Sequence, residues 1–257
     1  MYESVCCASH AADDKYGELY QTRPHDIVGR HVRLEPLQAD RHARELFHLT
    51  SGEPRNDHKS YDPQEVWSFQ EAGPFESELE MRSSFVFMRK LDEAAFGIVH
   101  SVTDRLIGAL YLTHDDPTNL AIQLEPPIVP PEGEGKQEQL EACFLLMDRL
   151  FAYGYRRIQI SIDSQDAVKR KLAARLGFTL EGVLYRHMVV KDSSRDSNVY
   201  GMLNSDWKAG ARAALFQKLY GAAAQRFDSS NEKKEEEYDE QQRVLAQQKQ
   251  AEAKKVA

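Results

Sequence analysis

Residues 120–187 constrain the fold of this chain more than any other stretch. They open with an apolar run, continue through four closely spaced prolines and a Gly-Glu-Gly turn, and then place apolar side chains at three- and four-residue spacing. These apolar residues are Leu140, Phe144, Met147 and Phe151, with Leu145, Leu146 and Leu150 widening the stripe. The spacing predicts an amphipathic helix. Gly154 predicts its end, because glycine readily adopts the left-handed conformation that terminates helices.

The segment that follows this helix predicts an alternation of strand and helix. Residues 158–163 alternate apolar and polar side chains, which indicates a half-buried strand. A second helix is predicted over 167–176, with Asp166 or Ser164 as its N-cap, and a further strand over 184–191. This order is that of a βαβ unit whose first helix begins just behind a glycine turn, an arrangement that favours anion binding.

The N-terminal half of the chain also predicts strands. Residues 28–37 alternate apolar and charged side chains, and residues 96–102 and 106–113 predict two strands of a hairpin. Residues 51–73 are rich in turn-forming residues. With strands and helices both present, the sequence predicts the α/β class.

Composition divides the chain into four parts. A polar N-terminal arm occupies residues 1–25, the main domain occupies 26–207, and helical spacing of apolar residues continues over 208–227 as an additional helix. Residues 228–257 are mostly Glu, Lys, Gln and Ala, which predicts a charged tail that is either disordered or a solvated helix. We also consider this tail as a site for a protein partner.

Charge and composition argue against several classes of protein. A net charge of −8 opposes general nucleic-acid binding, which needs a basic surface. No apolar run reaches membrane-spanning length, and residues 1–10 lack the pattern of a signal peptide. We do not expect the cysteines Cys6, Cys7 and Cys143 to form a disulfide framework, and we expect Cys143 in the core. We therefore expect a soluble, cytoplasmic protein that binds neither nucleic acid nor membrane.

Several short motifs resemble those of one known family. They are Val32-Arg33-Leu34-Glu35-Pro36-Leu37, Gly154-Tyr155-Arg156-Arg157-Ile158, Arg175-Leu176-Gly177-Phe178, Glu181-Gly182-Val183 and Met202-Leu203-Asn204-Ser205-Asp206-Trp207. With these motifs, residues 26–207 resemble the GNAT superfamily of acyl-CoA N-acetyltransferases. The closer likeness is to the Rim-type branch, whose members acetylate protein N-termini and small amines.

The resemblance implies a fold and an activity. The fold would be a mixed, twisted sheet of about seven strands with helices on both faces, here followed by a C-terminal helical tail. The activity would be transfer of an acetyl group from acetyl-CoA to a primary amine by direct attack. The acceptor would be a protein N-terminus or a small molecule, and residues 51–75 would lie over its pocket.

The resemblance also implies where the cofactor binds. In the family one strand separates from its neighbour, and its free backbone N–H groups hold the acetyl carbonyl and the pantetheine arm. The start of the next helix holds the pyrophosphate. Carried over to this chain, the cofactor-binding residues are Ile128, Val129, Gly133, Gly135, Lys136, Gln137, Asp166 and Lys169.

Catalysis requires a group that removes a proton from the substrate ammonium. Related enzymes often carry a glutamate where this chain has Gln123, and a glutamine cannot accept that proton. The tyrosine that many members use as a general acid would fall at Ala173. The remaining candidates are Glu181, as the base, and Tyr185. No Cys and His cluster has the spacing of a metal site, so we expect no metal.

A second interpretation stays open at this point. The prolines on the separated strand remove backbone donors, and the glycines of the loop are shifted relative to the family pattern. A degenerate relative would keep the fold without catalysis and act as an interaction module.

Overall fold

A computed structural model of the chain describes residues 27–54 and 60–221 of the 257. The strands are β1 (Ile27–Val28), β2 (Val32–Pro36), β3 (Ala94–His100), β4 (Leu106–Asp116), β5 (Ala121–Ile128), β6 (Arg157–Asp163), β7 (Thr179–Val190) and β8 (Ser193–Leu203). The helices are α1 (Ala39–Thr50), α2 (Gln64–Trp67), α3 (Glu78–Arg82), α4 (Gln137–Ala152), α5 (Ala167–Arg175) and α6 (Arg212–Tyr220), with short helical turns at Pro131–Gly133, Asn204–Asp206 and Trp207–Ala211.

The chain divides into two compact units, one ending at Leu215 and the other beginning at Phe216. The predicted N-terminal arm, Cys6, Cys7 and the charged tail lie outside the described residues. So does the end of the helix predicted over 208–227, of which the structure describes α6. None of the helices in the described ranges is long and apolar enough to cross a membrane.

One sheet organises the first unit. Its strand order is β1-β2-β3-β4-β5-β6-β8-β7. The pair β5 and β6 is parallel, because α4 carries the chain back between them, and the other neighbouring pairs are antiparallel. The α/β fold with a mixed sheet is confirmed.

Helices cover both faces of the sheet, as predicted. Side chains alternate along a strand, so Tyr111 and Leu112 of β4 point to opposite faces. Tyr111 belongs to a buried cluster with α1, α2 and α3. On the opposite face, Leu124 of β5 lines a cleft together with Cys143 of α4 and Leu172 of α5. The sheet therefore has an α1–α3 face and an α4–α5 face.

The helices of the βαβ unit agree with the sequence pattern. The apolar stripe of α4 is buried, including Leu140, Phe144 and Met147. Gly154 and Gly177 follow α4 and α5 with φ of 98° and 87°, the left-handed conformation expected at helix ends. The third strand begins earlier than predicted, at Thr179 rather than at residue 184.

The predicted strand over 28–37 is wrong as a single element. The chain turns at residues 29–31 and divides it into β1 and β2, which pair with each other. The sheet consequently has eight strands in the described residues instead of about seven.

A buried carboxylate from α4 holds this turn. Glu141 is fully buried and accepts hydrogen bonds from the backbone N–H groups of Arg30 (2.7 Å), His31 (2.8 Å) and Val32 (3.1 Å). A Cβ atom on Gly29 would lie 2.8 Å from a Glu141 oxygen, so the approach requires glycine. The carboxylate supplies the acceptors that these N–H groups would otherwise lack.

We expect Glu141→Ala to lower the free energy of unfolding by about 2–4 kcal/mol, because it leaves several N–H groups without their acceptor. Urea unfolding measures the loss, and Glu65→Ala, at an exposed position in α2, is the control. Equal losses in the two variants would mean that the hydrogen bonds from Glu141 to the turn contribute nothing specific to stability.

Candidate active site

An opening between β5 and β6 lies at the centre of the candidate site. The two strands pair only at Ala121–Arg157, Ile122–Ile158 and Gln123–Gln159. Beyond this point β5 continues beside β4 while β6 continues beside β8. Pro126 and Pro127 follow shortly on β5, and because proline has no backbone N–H, they cannot extend the ladder toward β6. The prolines that interrupt the sequence pattern thus lie where the strands separate.

On the α4–α5 face this opening is a narrow, closely packed cleft. Its lining is mainly apolar: Leu124, Pro126, Pro127, Cys143, Ile160, Ile162, Leu172, Ala173 and Leu176, with Lys169 as a charged side chain. Glu125 also borders the cleft, but strand alternation directs its side chain to the opposite face of the sheet. Burial raises the pKa of Cys143 to about 12, so this thiol stays protonated and packs as an apolar group, as predicted. Ala173 leaves the lining without a tyrosine hydroxyl.

A buried lysine bridges the cleft to the loop before α4. Lys169 is only 9% exposed, and its Nζ donates to the carbonyl oxygen of Pro127 (2.8 Å) and to the carboxylate of Glu134. Asp166 caps α5 by accepting from the backbone N–H of Lys169 (2.9 Å), and burial raises the pKa of Asp166. Two predicted cofactor residues therefore meet here, with Glu134 as the partner of the lysine.

The loop before α4 is closed by its own side chains. Gln139 Nε2 donates to the second carboxylate oxygen of Glu134 (2.9 Å), and Gln139 Oε1 accepts from the N–H of Gly135 (2.7 Å). Lys136 is the N-cap residue of α4, and its side chain makes no capping hydrogen bond. The backbone donors of the first turn of α4 point toward the helix N-terminus.

The remaining residues predicted for the cofactor flank this loop. Ile128 and Val129 are buried at the end of β5, where Ile128 pairs with Ala109 of β4. Gly133 ends the helical turn that starts at Pro131, and Gln137 is the first residue of α4. The structure therefore brings the predicted set to one end of the opening.

A row of polar side chains crosses the sheet on the α1–α3 face. Arg157 Nη2 donates to Gln159 Oε1 (3.0 Å), Gln159 Nε2 donates to Gln123 Oε1 (3.2 Å), and Gln123 Nε2 donates to Glu125 Oε1 (2.6 Å). The row reaches from β6 to β5 across the last pair before the strands separate. Glu125 lies at its end, beside the opening.

Glu125 is held by two neighbours. Its Oε1 atom accepts from Gln123 and also from the Thr113 hydroxyl of β4 (2.7 Å). Among the described residues, Oε2 has no hydrogen-bond partner. The carboxylate is half-buried, oriented through one oxygen, and able to accept a proton or hydrogen bond through the other.

Glu181, the predicted base, lies at the opposite end of the row. Arg157 binds it through both oxygens, at 2.6 and 2.5 Å. This pairing lowers the pKa of Glu181, because the guanidinium stabilises the charged carboxylate. A lower pKa weakens a base, and the bidentate contact occupies both oxygens. Glu181 therefore orients Arg157, and Arg157 in turn donates a hydrogen bond to Gln159.

Tyr185 lies apart from this row. It is 79% exposed on β7, within the irregular stretch where the register between β7 and β8 shifts. At the far end of the same hairpin, Lys191 Nζ donates to the carbonyl oxygen of Trp67 in α2 (2.6 Å). This contact brings the β7–β8 turn against the segment predicted to cover the acceptor.

Glu125 is a further candidate that the sequence patterns did not single out. Gln123 and Glu125 are two residues apart on a strand, so strand alternation already places them on one face. That signal could have identified Glu125. Thr113 and Gln159 come from other strands, and no local pattern links them to it.

Solved acetyltransferases have similar structures. A GCN5-related N-acetyltransferase from Brucella melitensis is 28% identical, with a TM-score of 0.66 over 77% of this chain and 86% of its own. A probable acetyltransferase of the GNAT family from Chromobacterium violaceum is 30% identical, with a TM-score of 0.62 over 71% of this chain and 88% of its own. A candidate ribosomal-protein-serine acetyltransferase from Vibrio cholerae shares the fold at 17% identity, with a TM-score of 0.55 over 70% of this chain and 97% of its own.

No family model and no curated protein sequence matches the chain. Within residues 27–54 and 60–221, no group of three or more His, Cys, Asp or Glu side chains is placed to hold a metal ion.

The ion pair between Glu181 and Arg157 depends on a glycine between them. Both side chains pass over β8 at Gly201, where an added Cβ would lie 2.3 Å from Glu181 Oε1 and 2.9 Å from Arg157 Nη1. We expect Gly201→Ala to cost roughly 1–3 kcal/mol of stability through this overlap. The cost should fall when Glu181→Ala is already present. Urea unfolding of the four proteins in this double-mutant cycle measures the coupling, and a zero coupling energy would contradict the arrangement.

Proposed function

Because this chain belongs to the GNAT superfamily of acetyltransferases, we propose that it transfers the acetyl group of acetyl-CoA to a primary amine. The acceptor would be a small molecule or a protein N-terminus, as in the Rim-type branch. The observation that carries the proposal is the opening between β5 and β6. It lies between a cleft beside the start of α4 on one face and the carboxylate of Glu125 on the other.

The residues on the α4–α5 face fit an anionic cofactor. The N-terminus of α4, where the side chain of Lys136 makes no capping hydrogen bond, carries a partial positive charge. Lys169 adds a buried ammonium group, and its present partner Glu134 is the anion that a diphosphate would replace. The apolar lining between β5 and β6 suits the pantetheine arm. When bound, acetyl-CoA supplies a thioester whose carbonyl carbon is open to attack by an amine.

On the α1–α3 face, Glu125 is the candidate base. The pKa of a substrate ammonium is about 7.7–8.0 at a protein N-terminus and about 10.4 at a lysine-like amine, so most of the substrate is protonated at neutral pH and a group near the opening must take its proton. Glu125 offers Oε2 for this, while Thr113 and Gln123 fix the carboxylate through Oε1. Gln123, which stands where relatives often have a glutamate, thus positions a carboxylate two residues away.

The interaction module remains the alternative function. The loop before α4 is closed by Glu134, Gln139 and Lys169, and a protein that never binds acetyl-CoA could keep those contacts unchanged. Acetyl-CoA binding distinguishes the two functions.

We expect acetyl-CoA to raise the melting temperature of the protein, since a ligand that binds only the folded state stabilises it. Lys169→Met should weaken binding roughly ten- to a hundredfold through loss of a charge-assisted hydrogen bond, and Glu134→Gln should strengthen it by removing the competing carboxylate. Calorimetric titration measures both effects.

Lys208→Met, at an exposed position remote in sequence from the cleft, is the control and should bind as the parent protein does. If acetyl-CoA neither shifts the melting temperature nor gives a titration signal, the chain is an interaction module.

The base is tested by comparing Glu125→Gln with Glu181→Gln. The first change should lower kcat by roughly 10²–10⁴-fold and leave acetyl-CoA affinity unchanged, because it removes the proton acceptor alone. The second should keep most of the rate. If instead Glu181→Gln abolishes the acidic limb of the pH–rate profile while Glu125→Gln preserves it, Glu181 is the base.

A further inference from the structure

Three buried hydrogen-bond donors near the candidate base have no acceptor beyond their own two side chains. They are Nε and Nη2 of Arg89 and the hydroxyl of Tyr111, and within the described part of the chain no other residue accepts a hydrogen bond from them. The guanidinium carbon of Arg89 lies 4.5 Å from the centre of the Tyr111 ring, so the three donors form one cluster. Buried donors without partners are costly, and a cluster of them on one sheet face indicates a missing acceptor.

The donors belong to a phenol and to a guanidinium group. Burial raises the pKa of Tyr111 far above its ordinary value, so the hydroxyl stays protonated. The guanidinium group of Arg89 carries N–H donors and no acceptor. Its Nη1 atom lies 3.7 Å from the carboxylate of Glu93, a distance too long for a hydrogen bond. Glu93 thus offsets part of the charge and leaves the other two donor atoms without partners.

The strand register places this cluster beside Glu125. Tyr111 of β4 and Glu125 of β5 are directly opposite each other, so their side chains leave the sheet on the same face. Thr113, two residues beyond Tyr111, binds the same carboxylate. A proton acceptor and a group of cationic and hydroxyl donors therefore adjoin each other on the acceptor side of the opening.

We propose that the acceptor is an α-amino acid whose ammonium group binds at Glu125 and whose carboxylate binds at Arg89 and Tyr111. This inference rests on the proposed acetyl transfer and names its substrate class. The planar guanidinium matches a carboxylate with two parallel hydrogen bonds, and the Tyr111 hydroxyl adds a third. A protein N-terminus carries a neutral amide next to its amine, and a simple amine carries no acceptor there. Either would leave buried donors unpaired.

The inference requires that the carboxylate, and not only the amine, is recognised. The test uses a panel of α-amino acids, each paired with its own carboxamide, which differs only in the charge and oxygen count of that group. We expect kcat/KM to favour the acid over the amide by roughly a hundredfold or more, since a site built around a charged group rejects the neutral analogue.

Substitutions test whether Arg89 and Tyr111 bind the carboxylate. Arg89→Met should remove most of the preference for the acid, mainly through KM, and Tyr111→Phe should reduce it while conserving the ring. Arg44→Met, at an exposed position on α1, should keep the preference of the parent protein. Melting temperatures establish that each variant is folded. If Arg89→Met does not fold, the ratio of kcat/KM for acid over amide, compared between the parent protein and Tyr111→Phe, still tests whether the carboxylate is recognised at this cluster.

The outcomes separate this inference from the proposed function. Equal or faster acetylation of the amides by the parent protein overturns the amino-acid assignment and leaves acetyl transfer intact. A preference for acids that survives both Arg89→Met and Tyr111→Phe also overturns it. Failure to bind acetyl-CoA and to acetylate any member of the panel would overturn both the inference and the proposed function.

Discussion

The parallel ladder between β5 and β6 ends after three residue pairs, and the candidate site depends on that ending. A ladder continued to the end of both strands would use the backbone groups of both and leave none of them free for a ligand. Pro126 and Pro127 prevent the continuation from the β5 side because they have no N–H to donate. The prolines are therefore compatible with a cofactor site, because they maintain the strand separation that such a site requires.

Two ion pairs lie near the opening, together with one carboxylate whose hydrogen-bond partners are neutral. Lys169 with Glu134 lies on the α4–α5 face, and Arg157 with Glu181 lies at the end of the polar row. Glu125 is held by an amide and a hydroxyl, without a cationic partner among the described residues. A base needs a carboxylate that is oriented without being neutralised, because a bound cation lowers its affinity for a proton. This contrast distinguishes Glu125 from Glu181 more clearly than their positions along the chain do.

The sequence predicts local structure well where a pattern repeats and poorly where partners are distant. The stripe of α4 and the glycines at 154 and 177 identify the helices of the βαβ unit, since spacing and left-handed termini are local properties. The division of the first strand could not be predicted, because it depends on Glu141, more than a hundred positions away. The pairing of Glu181 with Arg157 joins different strands 24 positions apart, so no local pattern indicates it.

The polar groups on the two faces of the sheet differ in whether they already have partners. On the α4–α5 face the site is satisfied by its own residues, so an anionic ligand has to displace Glu134 from Lys169. On the α1–α3 face, the donors of Arg89 and Tyr111 have no such internal substitute. A ligand on the first face competes with the protein, whereas a ligand on the second relieves a cost that the folded chain already bears. Selectivity should therefore be stronger for the acceptor than for the cofactor, because only the acceptor side penalises a ligand that lacks the matching group.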